Sequence, residues 1–592
     1  MLKRPDFVAD LNYKTNRKSE KEKSTTLKIF SIEAESNTPF TLTAMWNTDG
    51  LQIFNTSSFS LWPFFLVINE LPPHKRFMSE NILIAGIWGS VTKPHPDVYL
   101  LPIYKDVKTL EKGFECNVYG EEEKCIVKLI VLCGTCDAPA RALFINMKSH
   151  SGYFSCPVCL CRGERSERTG DVCVFPYEEN VRLRFMGQYK QQKNRVLHNK
   201  TLQNEEAACG IKGPSVLSHF VKNIFKSTSI DGMHCIYLGV TRQMLLLMTE
   251  IAYKDKDFSI HGKIPLVSKR MLQMSPPHFV QRLPQSLEKL ILWKASELRT
   301  FLLYYALCVL LNILPPKFYD HLMLLVEGIS LLNKSSVSSD DIKLSSTLLN
   351  QFVAEFQELY GIRHMSHNLH MVIHLPHNVQ NLGPLWATSC FKFEDMNGRL
   401  TNLVHGTRHV GLQVYSHLSV ATQLPLMINN LENESVKIIL LKTGKPLNFS
   451  DGISKGVHCI GNMTDLSANF IWIVNKLLEQ YNIVVQPSSI KLFFRLLKNN
   501  LLFLSTSYTA GKRVSSFVKY SLNNVARYGV DQTFAKVRGC NCTDECDCSA
   551  DYVAVVKPLE LTPCFGNNIV TVHHIYSIMP ADLPEEIVYI QC

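Results

Sequence analysis

The sequence predicts an α/β protein that combines a sheet-containing core, a long helical segment and a small C-terminal β-rich module. Runs rich in β-branched and aromatic residues, separated by turn residues, follow one another from residue 40 to residue 133. A region of helical character extends from Ser229 to about Tyr360, and short strand-like runs appear again after residue 505. The chain of 592 residues is also too long for one hydrophobic core, so we expect several domains.

Composition and charge narrow the class of protein. With 46% hydrophobic and 19% charged residues, the chain is typical of globular proteins. The net charge of +10 suits a polyanionic partner such as nucleic acid, although it does not require one. The longest apolar run, Phe301 to Leu314, is shorter than the ~20 residues of a membrane-spanning helix. It therefore predicts a buried helix and no membrane partner.

The 19 cysteines point to metal binding or buried thiols. Residues 1–30 are charged and lack the apolar stretch of a secretory signal, so we expect an intracellular protein. Disulfides are not expected in that compartment.

The start of the chain predicts a tail followed by strands. Residues 1–37 contain a polar, lysine-rich stretch that is typical of a tail or linker. Two β-rich runs then flank Asp49-Gly50, and an Asp-Gly pair between such runs predicts a hairpin. On this pattern alone, Asp49 is a turn residue.

A buried strand leads to the first candidate functional residue. The apolar run from Cys125 to Cys133 predicts a strand that stops at Gly134, and Asp137 follows before a helix-like segment. Open α/β sheets present their chemistry just beyond the ends of such strands. Asp137 is therefore a candidate for an active site.

Two pairs of residues together predict a metal site. Cys156-Pro-Val-Cys159 supplies two thiolates, while His370 and His374 are spaced to share one face of a helix. A Cys-x-x-Cys pair can also be a redox pair, but the thioredoxin unit in which that motif opens a helix is absent. A closed Cys2His2 set is typical of structural Zn²⁺. Such a zinc would fix the helical segment to the sheet domain.

Residues near the helical segment have more than one interpretation. Asp231 and His234 stand at its start, where Asp231 is either a helix N-cap or, with His234, an auxiliary active-site residue. The preceding segment is rich in basic residues, which are either solvated or in contact with DNA phosphates. The candidates for DNA contact are Arg182, Arg184, Lys190, Lys193 and Arg195.

The last part of the chain predicts two helical stretches followed by a β-rich module. The helical stretches are residues 468–481 and 489–500, and the strand-like runs after them predict a small barrel or sandwich. One loop of this module carries four cysteines in a spacing that is uncommon for zinc, so its role stays open. They are Cys540, Cys542, Cys546 and Cys548.

Several blocks of sequence, in order, resemble a DDE transposase of the CACTA-like group, which is related to the catalytic core of the V(D)J recombinase. The blocks lie between residues 38 and 425, and they are NTDGLQIF, LWPFFLVINELP, NILIAGIW, CDAPARAL, CPVC, SIDGMHCIYLGV and HNLHMVIHLPHNVQNLGPLWATSCFKFEDMNG. The resemblance implies an RNase H-like core interrupted by a mainly helical insertion that carries the Cys2His2 zinc. It also implies that Asp49, Asp137 and Glu394 are the catalytic carboxylates. Three converging carboxylates repel one another unless cations neutralise them, which two Mg²⁺ or Mn²⁺ ions would do.

The spacing agrees with the recombinase relative in part. There too, the zinc cysteines lie about nineteen residues after the second aspartate, and the histidines precede the glutamate by a similar distance. The histidines are separated by three residues here and by four in the relative, which leaves His367 or His377 as a substitute ligand. We also find no DNA-binding domain before Phe40.

These observations lead to an expected function and domain organisation. We expect a nuclear, transposon-derived DDE transposase that cleaves DNA and transfers strands with two metal ions, and that is a homo-oligomer when active. The alternatives are a domesticated, catalytically silent DNA- or chromatin-binding protein with the same fold, and a structural zinc protein unrelated to nucleic acid. The expected domains are a basic tail or linker (1–37), the first part of the core (38–160), a basic segment with the helical insertion (161–375), the last part of the core (376–430), a helical connector (431–505) and the β-rich module (506–592).

Overall fold

A computed structural model describes most of the chain, which divides into two compact units. The first comprises Met1–Gly262 and Phe301–Leu424, and the second comprises Lys263–Thr300 and Pro425–Cys592. The residues outside the described parts are 1, 3–6, 9–10, 12–39, 55–56, 166–171, 199–207, 278–279, 281, 430–456, 482–483, 499–500, 509–513, 523–524, 539–549, 564–575, 581–585 and 590–592.

The first unit is built on a mixed seven-stranded sheet. Its strands are β1 (Phe40–Thr48), β2 (Leu51–Gln52), β3 (Ser60–Ile68), β4 (Ile82–Ser90), β5 (Phe114–Cys116), β6 (Cys125–Cys136) and β7 (Thr228–Ile230). β3 pairs antiparallel with β1, β2 and β4. β6 lies parallel to β1 and to β7, while β5 pairs antiparallel with β6. The predicted α/β class is confirmed at this level.

Helices form most of the first unit after β7. The longer ones in this unit are α1 (Pro96–Lys112), α2 (Ala138–Ile145), α3 (Met186–His198), α4 (Met233–Thr241), α5 (Arg242–Thr249), α6 (Pro316–Leu332), α7 (Ser339–Tyr360), α8 (His367–Val372), α9 (Leu375–Leu382), α10 (Phe391–Thr401) and α11 (Val410–Asn429). Shorter helical turns are Pro73–Arg76, Ser79–Asn81, Val216–His219, Ile224–Ser227, Ile251–Tyr253, His261–Lys263, Phe301–Tyr305, Ala306–Leu310, Ile362–His364 and Leu385–Thr388. The apolar run that begins at Phe301 is helical and buried as far as Leu310, as predicted.

Adjacent residues of β1 point into two different cores, because side chains alternate across a strand. Trp46 stacks on Phe64 at 5.8 Å between ring centroids in the core that also contains Phe144 of α2. Met45 belongs to the opposite core, which contains Phe393 of α10. Helices therefore pack on both faces of the sheet, with α2 on one face and α10 on the other.

Two predictions about this sheet are wrong. Asp49-Gly50 does not close a hairpin, because β1 pairs with β3 along a buried surface and β2 is only two residues long. β6 continues past Gly134 to Cys136. Gly134 lies against the Trp46 ring, where an added Cβ would overlap the ring, so this glycine permits close packing inside the strand and does not end it.

The second unit contains two further sheets. Its strands are β8 (Val457–Cys459), β9 (Thr464–Asp465), β10 (Ile490–Phe493), β11 (Arg495–Lys498), β12 (Leu501–Leu504), β13 (Phe517–Leu522), β14 (Val525–Arg538), β15 (Ala550–Pro563), β16 (Tyr576–Pro580) and β17 (Glu586–Tyr589). β8, β11 and β12 form a three-stranded sheet, and the others form a seven-stranded one. Its helical segments are Ile264–Gln273, Leu287–Leu292, Ala295–Thr300, Ala468–Phe470, α12 (Trp472–Tyr481) and Pro487–Ser489.

One predicted helix of the second unit is wrong. Residues 489–500, expected to be helical, contain β10 and β11. Ile490 and Leu492 are buried beside Val553 while Lys491 between them is exposed, which is the two-residue alternation of a strand. The region expected to be a helical connector is therefore partly β-structure. The cysteine loop around Cys540, Cys542, Cys546 and Cys548 lies outside the described residues.

Within the described parts of the chain, no helix combines the length and the apolar character needed to cross a membrane.

Asp531 makes the stability of the second unit depend on pH. It is 2% exposed and lies in β14, where the register with β15 shifts. Burial raises the pKa of this carboxyl from 3.8 to about 8, because the ionised form is poorly solvated. At pH values between these two pKa values, the folded state therefore keeps a proton that the unfolded chain releases. The resulting stabilisation is complete below about pH 4 and is lost as the pH rises through about 8.

We expect Asp531→Asn to flatten this pH dependence. The amide has the same shape and carries no charge, so the variant should unfold at a higher temperature than the wild type at pH 8 and at a similar temperature at about pH 4. Thermal unfolding followed by circular dichroism at both pH values measures this. The control is Asp465→Asn, which changes an exposed aspartate of the same unit. Parallel pH profiles for wild type and Asp531→Asn would contradict the expectation.

Candidate active site and metal centre

Three aspartates follow three adjacent parallel strands at one edge of the sheet. Asn47 of β1 pairs with Thr135 of β6, and Cys136 of β6 pairs with Ile230 of β7. If these registers continue past the strand ends, Asp49 stands next to Asp137, and Asp137 next to Asp231. The carboxyl ends of parallel strands are where open α/β sheets place ligand-binding residues.

Each of the first two carboxylates uses one oxygen to order its own loop. Oδ1 of Asp49 accepts a hydrogen bond from the backbone N–H of Gly50 at 2.7 Å. Oδ1 of Asp137 accepts from the backbone N–H of Ala140 at 2.7 Å, which makes Asp137 the N-cap of α2. Both carboxylates are thereby held at the edge of the sheet.

Glu394 joins these two carboxylates from the first turn of α10. Burial first, and then the charges of Asp137 and Glu394, raise the pKa of Asp49 to about 7. Asp137 and Glu394 therefore both lie close enough to Asp49 to oppose its ionisation. A cation bound beside Asp49 would offset both the burial and the repulsion.

Asp231 and His234 form a hydrogen-bonded pair at the same edge. Oδ2 of Asp231 lies 2.7 Å from Nδ1 of His234, and Nε2 of His234 lies 3.9 Å from Oε1 of Glu394. Burial opposes protonation of the ring, but the hydrogen bond and charge of Asp231, with the charges of Asp137 and Glu394, raise the pKa of His234 to about 9. The protonated ring therefore stands among the carboxylates as a positive charge.

The buried Asp231 also organises the backbone around it. Its two oxygens accept hydrogen bonds from the backbone N–H groups of Met233, His234 and Cys390. Burial alone would raise the pKa of Asp231, but the contacts with His234 and these N–H groups hold it below its usual value. Asp231 thus caps the start of the helical region, as one interpretation predicted, and also holds the start of α10.

Sequence reasoning missed Cys390, which connects the strands to α10. Its Sγ is 3.6 Å from Nδ2 of Asn47 and 3.7 Å from Oγ1 of Thr135. Cys390 precedes Glu394 by one helical turn. Its contacts with the strands therefore fix the position of the first turn of α10, which carries Glu394. In the sequence, the only feature that drew attention to this region was the apolar segment before Glu394.

The two cysteines and two histidines predicted as metal ligands meet in a second cluster. The ligand atoms of Cys156, Cys159, His370 and His374 all lie within 4.8 Å of one another, and all four residues are buried. Nε2 of His370 is 3.2 Å from Sγ of Cys159 and 3.3 Å from Nε2 of His374. Two thiols and two imidazoles at these separations can bind a tetrahedral metal ion such as zinc. His367 and His377 are not part of this set.

The spacing of His370 and His374 predicts that one continuous helix carries both residues. In the structure the helix is interrupted between them. α8 ends at Val372, His374 follows, and α9 begins at Leu375. Pro376 has no N–H and is tolerated only near the start of a helix, so it forces the break. His374 remains close enough to the helical path for both rings to reach the cysteines.

Backbone N–H groups and Arg184 hold the cysteine loop. Sγ of Cys156 accepts from the N–H groups of Val158 and Cys159, at 3.4 and 3.3 Å. Arg184 is 5% exposed and donates to the carbonyl oxygens of Cys156 and Phe154, each at 2.8 Å. Its prediction as a DNA-contacting residue is corrected, because a buried guanidinium that is bonded to the loop cannot reach a phosphate.

The other predicted DNA-contacting residues lie on or near α3. Arg182, Lys190 and Arg195 are exposed, whereas Lys193 is half-buried with its Nζ 5.7 Å from the ring centre of Tyr189.

Comparison with known proteins gives one family match. Residues 8–173 match a family described as a protein of unknown function, DUF1258. This segment includes Asp49, Asp137, Cys156 and Cys159. No curated protein matches the sequence.

Proposed function

We propose that the protein is a DDE transposase-like enzyme that cleaves and joins DNA phosphodiester bonds with two metal ions. The observation that carries this proposal is that Asp137, which follows β6, and Glu394, in the first turn of α10, both lie close enough to Asp49 to help raise its pKa. The sheet supports the RNase H-like core that the resemblance implies, because it contains an antiparallel group of strands followed by strands parallel to the first.

The donor set fits the proposed metal ions. Mg²⁺ and Mn²⁺ prefer carboxylate oxygens, and the half-buried Asp49 and Asp137 and the exposed Glu394 would supply them. Two such ions would activate the attacking water or 3′-OH and stabilise the leaving oxygen. Such ions would offset the burial and the repulsion that together raise the pKa of Asp49.

Asp231 and His234 are proposed as positioning residues. Asp231 holds the N–H of Cys390 and the ring of His234, so it links the strand edge to the helix that carries Glu394. His234, 3.9 Å from Glu394, balances negative charge at this edge. Together they would keep the three carboxylates in one arrangement.

The second cluster is proposed as the structural zinc site of the helical insertion. Four buried ligands leave no open coordination position for water, so this site would stabilise the fold without taking part in the reaction. It joins the cysteine loop after α2 to the histidines that precede α9 and α10, and thus to Glu394.

DNA as substrate implies a nuclear location and, as in related transposases, a homo-oligomer when active. The exposed Arg182, Lys190 and Arg195 support contact with a phosphate backbone.

A nicking assay on supercoiled plasmid tests the proposed function directly. The purified chain should convert the plasmid to open-circular and linear forms with Mg²⁺ or Mn²⁺, and EDTA should prevent this. Retained DNA binding without cleavage under any of these conditions would favour the catalytically silent binding protein.

We expect Asp231→Asn to disturb the site through His234. The amide removes the charge that stabilises the imidazolium, so an NMR titration should find the pKa of His234 lowered by about one to two units. Nicking should decrease in the same variant because the start of α10 loses a charged acceptor. Asp395→Asn, which changes the neighbour of Glu394 in α10, is the control. If Asp231→Asn nicked DNA at the wild-type rate, Asp231 would be a helix cap with no role in positioning the active site.

A further inference from the structure

A small pocket lies between α2 and the cysteine loop, next to the zinc-type cluster. Ala138, the residue after Asp137, lines it together with Arg141, Lys148, His150, Ser155 and His367. The pocket has room for about one water-sized group. The pocket is separate from the carboxylate site but begins at the same end of α2.

Two buried polar side chains in this pocket lack partners within the described structure. His367 and Ser155 are each 6% exposed, and neither ring nitrogen of His367 nor Oγ of Ser155 has a hydrogen-bond partner there. A buried polar group without a partner destabilises the fold unless a ligand or water satisfies it. Both residues can donate a hydrogen bond, so the pocket is suited to a ligand that accepts one.

The charge of the pocket selects an anion. Arg141 is buried and its guanidinium also donates to the carbonyl oxygen of Ser229 at 3.3 Å, while Lys148 and His150 stand nearer the surface. No aspartate or glutamate lines the pocket. Because the pocket accepts only one small group, an oxyanion would insert one oxygen and leave the rest at the mouth.

The surface beside the pocket extends the positive charge. The guanidinium carbons of Arg162 and Arg165 lie 4.5 and 5.8 Å from the ring centre of Tyr153, in the loop that connects His150 to Ser155. Both arginines are exposed. The pocket accepts one oxygen, and further cationic side chains surround its mouth. A ligand with a chain of phosphates fits this arrangement better than a single free anion does.

We infer that this pocket binds one backbone phosphate of the nucleic acid on which the carboxylates act. Ser155 and His367 donate to the inserted oxygen, and Arg141 and Lys148 supply positive charge. The inference rests on the proposed action on DNA and adds a residue-level contact that fixes the position of the strand.

Duplex binding and nicking, measured separately, test this inference. A fluorescein-labelled 30-base-pair duplex is titrated with Lys148→Gln, with Ser155→Ala and with the control Lys343→Gln, which changes an exposed lysine of α7. Lys148→Gln should raise Kd about three- to tenfold and reduce the slope of log Kd against log salt by about one. Ser155→Ala should raise Kd without changing the slope, and the control should match the wild type.

The outcomes separate the pocket from the proposed function. Wild-type values of Kd and slope in both pocket variants, with nicking intact, would overturn the phosphate subsite alone. Weakened duplex binding in the variants, with no nicking by the wild type, would support the subsite and overturn the nuclease. A calorimetric titration with inorganic phosphate distinguishes the source. If phosphate binding is lost in Ser155→Ala while the duplex Kd is unchanged, the site is one for free phosphate and the inference fails.

Discussion

Asp137→Asn is expected to abolish metal-dependent nicking while leaving the fold intact. Asparagine is as good an N-cap as aspartate, so the amide should still accept the hydrogen bond from the N–H of Ala140 and preserve α2. The variant loses the negative charge that would hold a cation. Metal ions contribute several kcal/mol to such reactions, and each 1.36 kcal/mol is tenfold in rate, so we expect a loss of about a thousandfold or more.

Plasmid nicking and thermal unfolding together measure this expectation. Without divalent metal, the melting temperature of Asp137→Asn should equal or exceed that of the wild type, because one of three repelling charges is gone. Added Mn²⁺ should stabilise the wild type more than the variant. Asp257→Asn, at an exposed position paired with Lys317, is the control and should retain full activity. Nicking by Asp137→Asn at the wild-type rate would remove Asp137 from the catalytic set.

Cys156→Ser is expected to reduce stability and activity together. Serine is a poor zinc ligand, so the variant should lose the metal that joins the cysteine loop to the histidines before α9. Structural zinc contributes up to about 10–16 kcal/mol in small zinc domains, and even part of this predicts a melting temperature lower by roughly 10 °C or more. Nicking should fall as well, because Glu394 follows the released histidines in the chain.

Zinc content, thermal unfolding and nicking separate the roles of the two metal sites. Elemental analysis should find zinc in the wild type and in Asp137→Asn but not in Cys156→Ser. Cys308→Ser is the matched control, since Sγ of this half-buried cysteine donates to the carbonyl oxygen of Tyr304 and a hydroxyl can do the same. If Cys156→Ser retained its zinc and its melting temperature, the cluster would not be a zinc site.

Local sequence patterns were sufficient where one segment determines its own structure. The buried strand before Asp137 and the helical run from Phe301 follow from apolar periodicity. The spacing of Cys156 from Cys159, and of His370 from His374, identified the four members of the buried cluster, because ligand geometry restricts such spacings.

Tertiary structure decided the features that depend on distant residues. Asp49 belongs to an edge of the sheet and not to a hairpin, because β1 pairs with β3 and β6; the pairing partner of a strand is set by the whole core. In the sequence, Arg184 is one of many basic residues. Only the tertiary structure places it beside the carbonyl oxygens of the cysteine loop. The link from Asp231 to Cys390 spans 159 positions, a separation at which no local pattern carries information about contact. β10 and β11 lie where the sequence predicts a helix, because short apolar runs suit either structure. Pairing of β10 with β14, and of β11 with β8 and β12, selects the strand.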